Sequence, residues 1–193
     1  MGRKAVAKEL NRDQILQAAR ELFVTKGYRE VSMRGIAQVL GYSHGAIYYH
    51  FKDKAELFNT LVEHDFYQLK QRLQDVLTED ILDLHSRVEK VMLEFIRFGL
   101  DYPHHYEIMF LINDPELQQY AQPIKESSYS QFSSVIVEAC GKLLAPDKRI
   151  IIPWLTLLSL QGFVAHYLHA KMSFDEVEHL AKEHIKFICK GLF

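Results

Sequence analysis

The chain has 193 residues, of which 48% are hydrophobic and 25% charged, with a formal net charge of −2. That length can bury a substantial core, either as one large helical domain or as a small head on a larger body. With no long uniformly apolar run read in it, and with M-G-R-K-A-V-A-K-E-L lacking the apolar centre of a signal peptide, neither a membrane span nor export is expected, and the expected location is cytoplasmic.

The small net charge hides an asymmetry. Residues 1–54 hold ten Lys/Arg against five Asp/Glu, and residues 55–193 hold thirteen against twenty. A basic end on an acidic remainder suits phosphate contact at one end only. Cys140 and Cys189 match no zinc or redox spacing and read as packed thiols. His104/His105, His166/His169 and His179/His184 lack the further ligands that zinc requires, so neither a metal nor a cofactor is expected.

In chain order, residues 1–10 carry Arg3, Lys4 and Lys8 and read as a basic arm. Asn11 and Gln14 form a capping box that opens a first helix with Ile15, Ala19, Leu22 and Phe23 inward, closed near Gly27. Ser32 caps a second helix with Ile36, Ala37 and Leu40 inward, and Gly41 supplies a left-handed end. Ser43 opens a third helix whose strong apolar anchors, Ile47 and Phe51, are four apart and share one face. At 100° per residue, Gly45 and Tyr49 point away from Ile47, with Tyr48 on the flank. A short helix pinned from behind, presenting Gly, Tyr and polar tips outward, is what the DNA major groove admits.

The run K-G-Y-R-E-V-S-M-R-G-I-A-Q-V-L-G-Y-S-H-G-A-I-Y-Y-H-F-K-D-K-A-E-L-F, Lys26 to Phe58, resembles the N-terminal domain of the TetR/AcrR family of bacterial transcriptional regulators. The resemblance extends from about Arg12 to about Leu61. It implies an all-α fold of about nine helices: a three-helix helix-turn-helix DNA-binding head over residues 1–56, with the motif at about 32–51, and a ligand-binding, dimerising body over residues 57–193. The outward face and the resemblance together give the expected DNA contacts: Ser32, Arg34, Ser43, His44, Gly45, Tyr48, Tyr49, His50 and Lys54. The partners it implies are a double-stranded DNA operator, a second copy of the chain and a small-molecule effector.

Asp53 and Glu56 form a capping box for a fourth helix that runs to about Leu77, leaving the head and entering the body. A fifth begins near Asp80, carries Val88, Val91, Met92, Phe95 and Ile96 inward, and stops before Pro103. Asp114 with Pro115 reads as another helix start, and Pro123 as an interruption before a helix from about Ile124 to Cys140. Pro146 and Asp147 lead into a strongly apolar helix in which Pro153 predicts a kink or a late start. Ser173 and Glu176 box the last helix.

D-Y-P-H-H-Y-E-I-M-F and L-S-L-Q-G-F-V resemble one common class of TetR-family C-terminal domain. The chain departs from it at Gln161, where that class has His, and in the position of Trp154. On helices that line an internal cavity in the family, the candidates are Phe66, Met92, Phe95, Tyr102, Tyr106, Met109, Phe132 and Phe163; for any one of them, core packing is the competing reading. The last two helices, with Ser159, Gly162 and Ala165, read as a dimer interface or as a buried antiparallel pair. No nucleophile elbow, phosphate loop or Glu-x-x-His motif supports an enzyme. The expected function is therefore a repressor released from a palindromic operator by a lipophilic or aromatic ligand. The alternatives are a regulator governed by a partner protein, or an all-helical carrier or enzyme.

Overall fold

The computed structural model describes residues 10–80, 83–112 and 115–192; in the helix that follows 114, the described side chains are those of 126 and of 129 onward. The basic arm at 1–9 and the cap expected at Asp114 lie outside them. The described residues form nine α-helices: α1 Arg12–Lys26, α2 Met33–Leu40, α3 His44–His50, α4 Lys54–Thr78, α5 Leu84–Asp101, α6 Pro103–Tyr106, α7 Pro115–Cys140, α8 Ile151–His169 and α9 Phe174–Leu192.

Local chemistry sets the head. Asn11 accepts from the Gln14 amide at 2.9 Å and Gln14 returns a bond from the Asn11 amide at 3.2 Å, a complete capping box on α1. Ser32 accepts from the Gly35 amide at 3.0 Å and starts α2. Gly41 ends α2 at φ 74°, ψ 23°, a left-handed conformation that glycine adopts without a Cβ penalty. Two expected caps differ in detail. Ser43 stands at the N-cap of α3, but its hydroxyl makes no capping bond. Glu56 reaches the Lys52 amide at 2.7 Å rather than that of Asp53, while Asp53 does accept from the Glu56 amide.

The body departs from expectation at its prolines. α7 runs unbroken through Pro123 from Pro115 to Cys140. A proline costs one backbone hydrogen bond, and the packing of α7 on α4, α5 and α8 outweighs that loss. The second proline produces a late start: Pro146–Lys148 forms a single 3₁₀ turn, and α8 begins at Ile151 with Pro153 inside its first turn, where no amide donor is needed. α8 also corrects the expectation of no apolar span. Its 19 residues reach a mean hydropathy of 1.4, long and apolar enough to cross a membrane. Here the helix packs within the body against α5, α7 and α9, with Ile152, Leu157, Leu160 and Val164 buried.

Two hydrophobic cores result. The head core joins Ile15, Ala19 and Phe23 of α1, Ile36 of α2, Ile47 of α3 and Leu57, Phe58, Leu61 and Val62 of α4. The body core takes Leu69, Leu73 and Val76 of the same α4 together with α5, α7, α8 and α9. One helix therefore belongs to both, and Phe66 touches both at its midpoint. α6 continues into a π-helical turn, Glu107–Leu111. From this turn Ile108 enters the head core while Met109 enters the body core.

Candidate nucleic-acid interface and body cavity

α3 is held by its inner side. Ile47 is fully buried and Phe51 is 1% exposed, whereas Tyr49 on the opposite face is 87% exposed. Tyr48, His44 and Gly45 are also exposed, and His50 is half-buried. His44 packs edge-on to Tyr48 at 4.6 Å between ring centroids, and Tyr49 packs edge-on to His50 at 5.2 Å. These contacts order the outward rings without covering them. Among the described residues, nothing beyond its chain neighbours and its own helix's backbone lies within 4 Å of a Cβ placed at Gly45, which leaves room on this side for close approach of another molecule.

The C-terminal end of α3 is tied to α1. Arg12 Nη1 donates to the His50 carbonyl at 2.9 Å, and the guanidinium lies 4.2 Å from the centre of the Phe51 ring. Sequence reading missed Arg12, because a contact across 38 positions has no local signature. Lys54 is also held, its ammonium donating to the Tyr28 carbonyl at 2.8 Å and lying 4.1 Å over the Tyr28 ring. That leaves Lys54 fixed at the foot of α4 with further N–H donors to offer. Arg34 and Ser32 are exposed at the start of α2, on which Val39 is exposed too.

The body contains a cavity of about 380 Å³. Phe66, Leu69, Lys70 and Leu73 of α4 form one wall, and Phe95 with Met109 and Phe110 another. α7 contributes Glu126, Tyr129, Gln131, Phe132 and Val135, and α8 contributes Trp154, Leu157 and Gln161. Edge-on ring pairs line it: Phe66 with Phe110 at 5.2 Å, Phe95 with Phe132 at 5.4 Å, and Tyr129 with Trp154 at 4.8 Å.

Of the eight candidates for this wall, Phe66, Phe95, Met109 and Phe132 line the cavity and four do not. Met92 is fully buried in the body core. Tyr102 is half-buried against the body core outside the cavity lining, its hydroxyl 2.6 Å from Arg72 Nη2. Tyr106 lies behind the wall, with its hydroxyl pointing to the Gln161 carbonyl at 3.4 Å, and burial pushes its ionisation well above the usual tyrosine range. Phe163 packs on Tyr167 and on His184 of α9, away from the cavity. A residue's helical face does not reveal which of two interior spaces it meets. The π-helical turn, which brings in Phe110, has no simple sequence period.

The joint between head and body also contains a polar cluster. Asp65 of α4, fully buried, receives Arg20 of α1 at 2.6 Å, and His105 Nδ1 of α6 lies 3.0 Å from the same oxygen. Among the described residues no group of three or more His, Cys, Asp or Glu is placed to hold a metal ion.

A three-helix head with its third helix pinned from behind and outwardly bare, on an all-helical body, defines a helix-turn-helix DNA-binding protein. Residues 15–61 match the family described as bacterial regulatory proteins, tetR family. The transcriptional repressor BepR of Brucella suis biovar 1 (strain 1330) is 26% identical over 188 residues, spanning 91% of this chain and 88% of that protein. The repressor AcnR of Corynebacterium glutamicum is 30% identical over 129 residues, 67% of this chain and 61% of that protein. Among solved structures, NalD of Pseudomonas aeruginosa, the secondary repressor of the MexAB-OprM multidrug efflux pump, superposes with a TM-score of 0.70 at 24% identity, over 93% of this chain and 94% of that one. A TetR/AcrR-type regulator of Aquifex aeolicus VF5 gives 0.74 at 20%, over 92% and 98%. The chain belongs to the TetR family and is a DNA-binding transcriptional regulator.

Proposed function

We propose that the protein is a repressor that binds a two-fold symmetric operator as a dimer and is released by a small lipophilic ligand in the body cavity. The observation that carries the reading is α4, a single helix that packs in the head core at Leu57–Val62 and forms a cavity wall from Phe66 to Leu73. A ligand there can act on the recognition helices by favouring one placement over another of α4, or of the π-helical turn whose Met109 and Phe110 line the cavity while Ile108 sits in the head core.

The DNA contacts are Ser32, Arg34, Ser43, His44, Gly45, Tyr48, Tyr49, His50 and Lys54. Tyr48, Tyr49 and the histidines address base edges, and Ser43, Lys54 and Arg34 address phosphates. The uncapped hydroxyl of Ser43 suits that role. The dimer forms through α8 and α9. Leu155, Leu158, Leu180 and Phe187 leave large apolar side chains exposed there, and Gly162 is open beside them. Two heads then present their α3 helices to successive major grooves about 34–36 Å apart, and a ligand that spreads or tilts the α4 helices spoils the match. Operator binding places the protein in the cytoplasm.

The experiment has two arms. Duplexes selected from random DNA by the pure protein should converge on an inverted repeat, and sedimentation should give a dimer that Gly162→Asp or Ala165→Glu dissociates. A selected site without two-fold symmetry, together with a monomer at operator-binding concentrations, overturns the reading.

A further inference from the structure

We propose that the cavity is built for a lipophilic anion, a molecule with an apolar body and a single carboxylate or comparable acidic end, held by Lys70. This rests on the reading of the cavity as the effector site. Among the described residues that line the cavity, Lys70 is the one cation. It is half-buried on α4, with the cavity-lining Phe66 one turn before it and Leu69 and Leu73 on either side. Among the described residues no hydrogen bond or ion pair reaches its ammonium, whereas Arg72 and Lys90 on nearby surfaces are each paired with a glutamate. A cation kept at the edge of an aromatic space without a counter-ion lacks what a ligand carboxylate supplies.

Among the described residues the other charge on the wall is Glu126 of α7. It is exposed and already engaged within the protein, so it is a weaker receiver for a ligand cation. The remaining polar groups are neutral, and the side-chain amide of Gln161 can add a donor to an oxyanion. The interior surface is phenyl, thioether and aliphatic, which suits an alkyl chain or an arene and gives no second charge a partner. The anchor also stands on the helix that joins the two cores. Pairing with Lys70 therefore loads α4 directly rather than through the far wall.

The only tryptophan, Trp154, lines the cavity, so its fluorescence reports occupancy of this site. Three probes that share a ten-carbon chain, decanoate, 1-decanol and decyltrimethylammonium, are titrated below their aggregation concentrations into the full-length parent, Lys70→Met and Lys70→Arg. Decanoate should bind the parent more tightly than 1-decanol by on the order of tenfold, the worth of one charge-assisted bond. Lys70→Met should remove that preference and leave 1-decanol binding intact, and Lys70→Arg should keep it. Equal binding of decanoate and 1-decanol by the parent overturns the proposal, as does tightest binding of the trimethylammonium or a decanoate preference that survives in Lys70→Met. If none of the probes changes Trp154, the cavity is not a small-molecule site, and the broader reading fails rather than the choice of charge.

Discussion

Arg20 and Asp65 form a buried ion pair across the joint between head and body. Arg20 Nη2 lies 2.6 Å from Oδ1 and Nε 3.3 Å from Oδ2, with both side chains less than 5% exposed. Such a pair adds little net stability over an apolar replacement, but removing Arg20 leaves the buried Asp65 carboxylate with only the imidazoles of His105 and His64 beside it. Arg20→Met should therefore cost roughly 3–5 kcal/mol in urea unfolding at neutral pH. The double change Arg20→Met with Asp65→Leu should recover most of that loss. A double variant no more stable than Arg20→Met would show that Asp65 is not left uncompensated.

At Gly99, α5 packs tightly against Val164 of α8. A Cβ there would lie 2.5 Å from Val164 Cγ1 and 3.0 Å from Tyr106 Cδ2. Gly99→Ala should destabilise by about 1–3 kcal/mol through overpacking, against the usual helical gain from alanine. Val164→Ala in the same chain should relieve part of it. Calorimetry of the two variants gives the answer, and an unchanged Gly99→Ala midpoint would mean that the two helices separate freely.

Arg12 of α1 holds the C-terminal end of α3. Its bond to the His50 carbonyl and its place over Phe51 fix the C-terminal end of the recognition helix. Arg12→Ala should weaken operator binding by up to about tenfold, the worth of a charged hydrogen bond partly exposed to solvent. The slope of log affinity against log salt should stay the same. A slope shallower by about one would instead show that Arg12 contacts a phosphate.

Burial pushes the thiols of Cys140 and Cys189 from an ordinary 9.0 up to about 11. Their folded-state values are raised, so the fold favours the neutral thiol. This contribution is complete below about pH 9 and is lost as the pH rises towards 11. Native protein at pH 8 should react with a disulfide reagent far more slowly than urea-unfolded protein, because thiolate and access are both lacking. Equal rates would place a thiol at the surface.

The head was legible because its signals are local. Asn11 with Gln14, Ser32 and Gly41 each act within four residues, and Ile47 with Phe51 identifies the inner side of α3. Contacts between distant elements carried no such mark, as with Arg12 on His50 and Asp65 between Arg20 and His105. Pro123 does not break α7, because the local cost of a proline carries no information about the packing that holds the helix through it. In the body, a period of 3.6 separates inside from outside but not core from cavity. Met92 and Phe95 share one inward stripe, yet only Phe95 lines the space.

α3 is the element proposed to meet DNA, and Tyr49, bare at 87% exposure, is its most direct probe. The decisive measurement is the affinity of Tyr49→Ala for the duplex selected by the parent, with its helical content and unfolding midpoint checked alongside. A folded variant that binds roughly 1–3 kcal/mol more weakly, about 5–150-fold, is the predicted result. A folded variant that binds this duplex as tightly as the parent would contradict the assignment of α3 as the recognition helix.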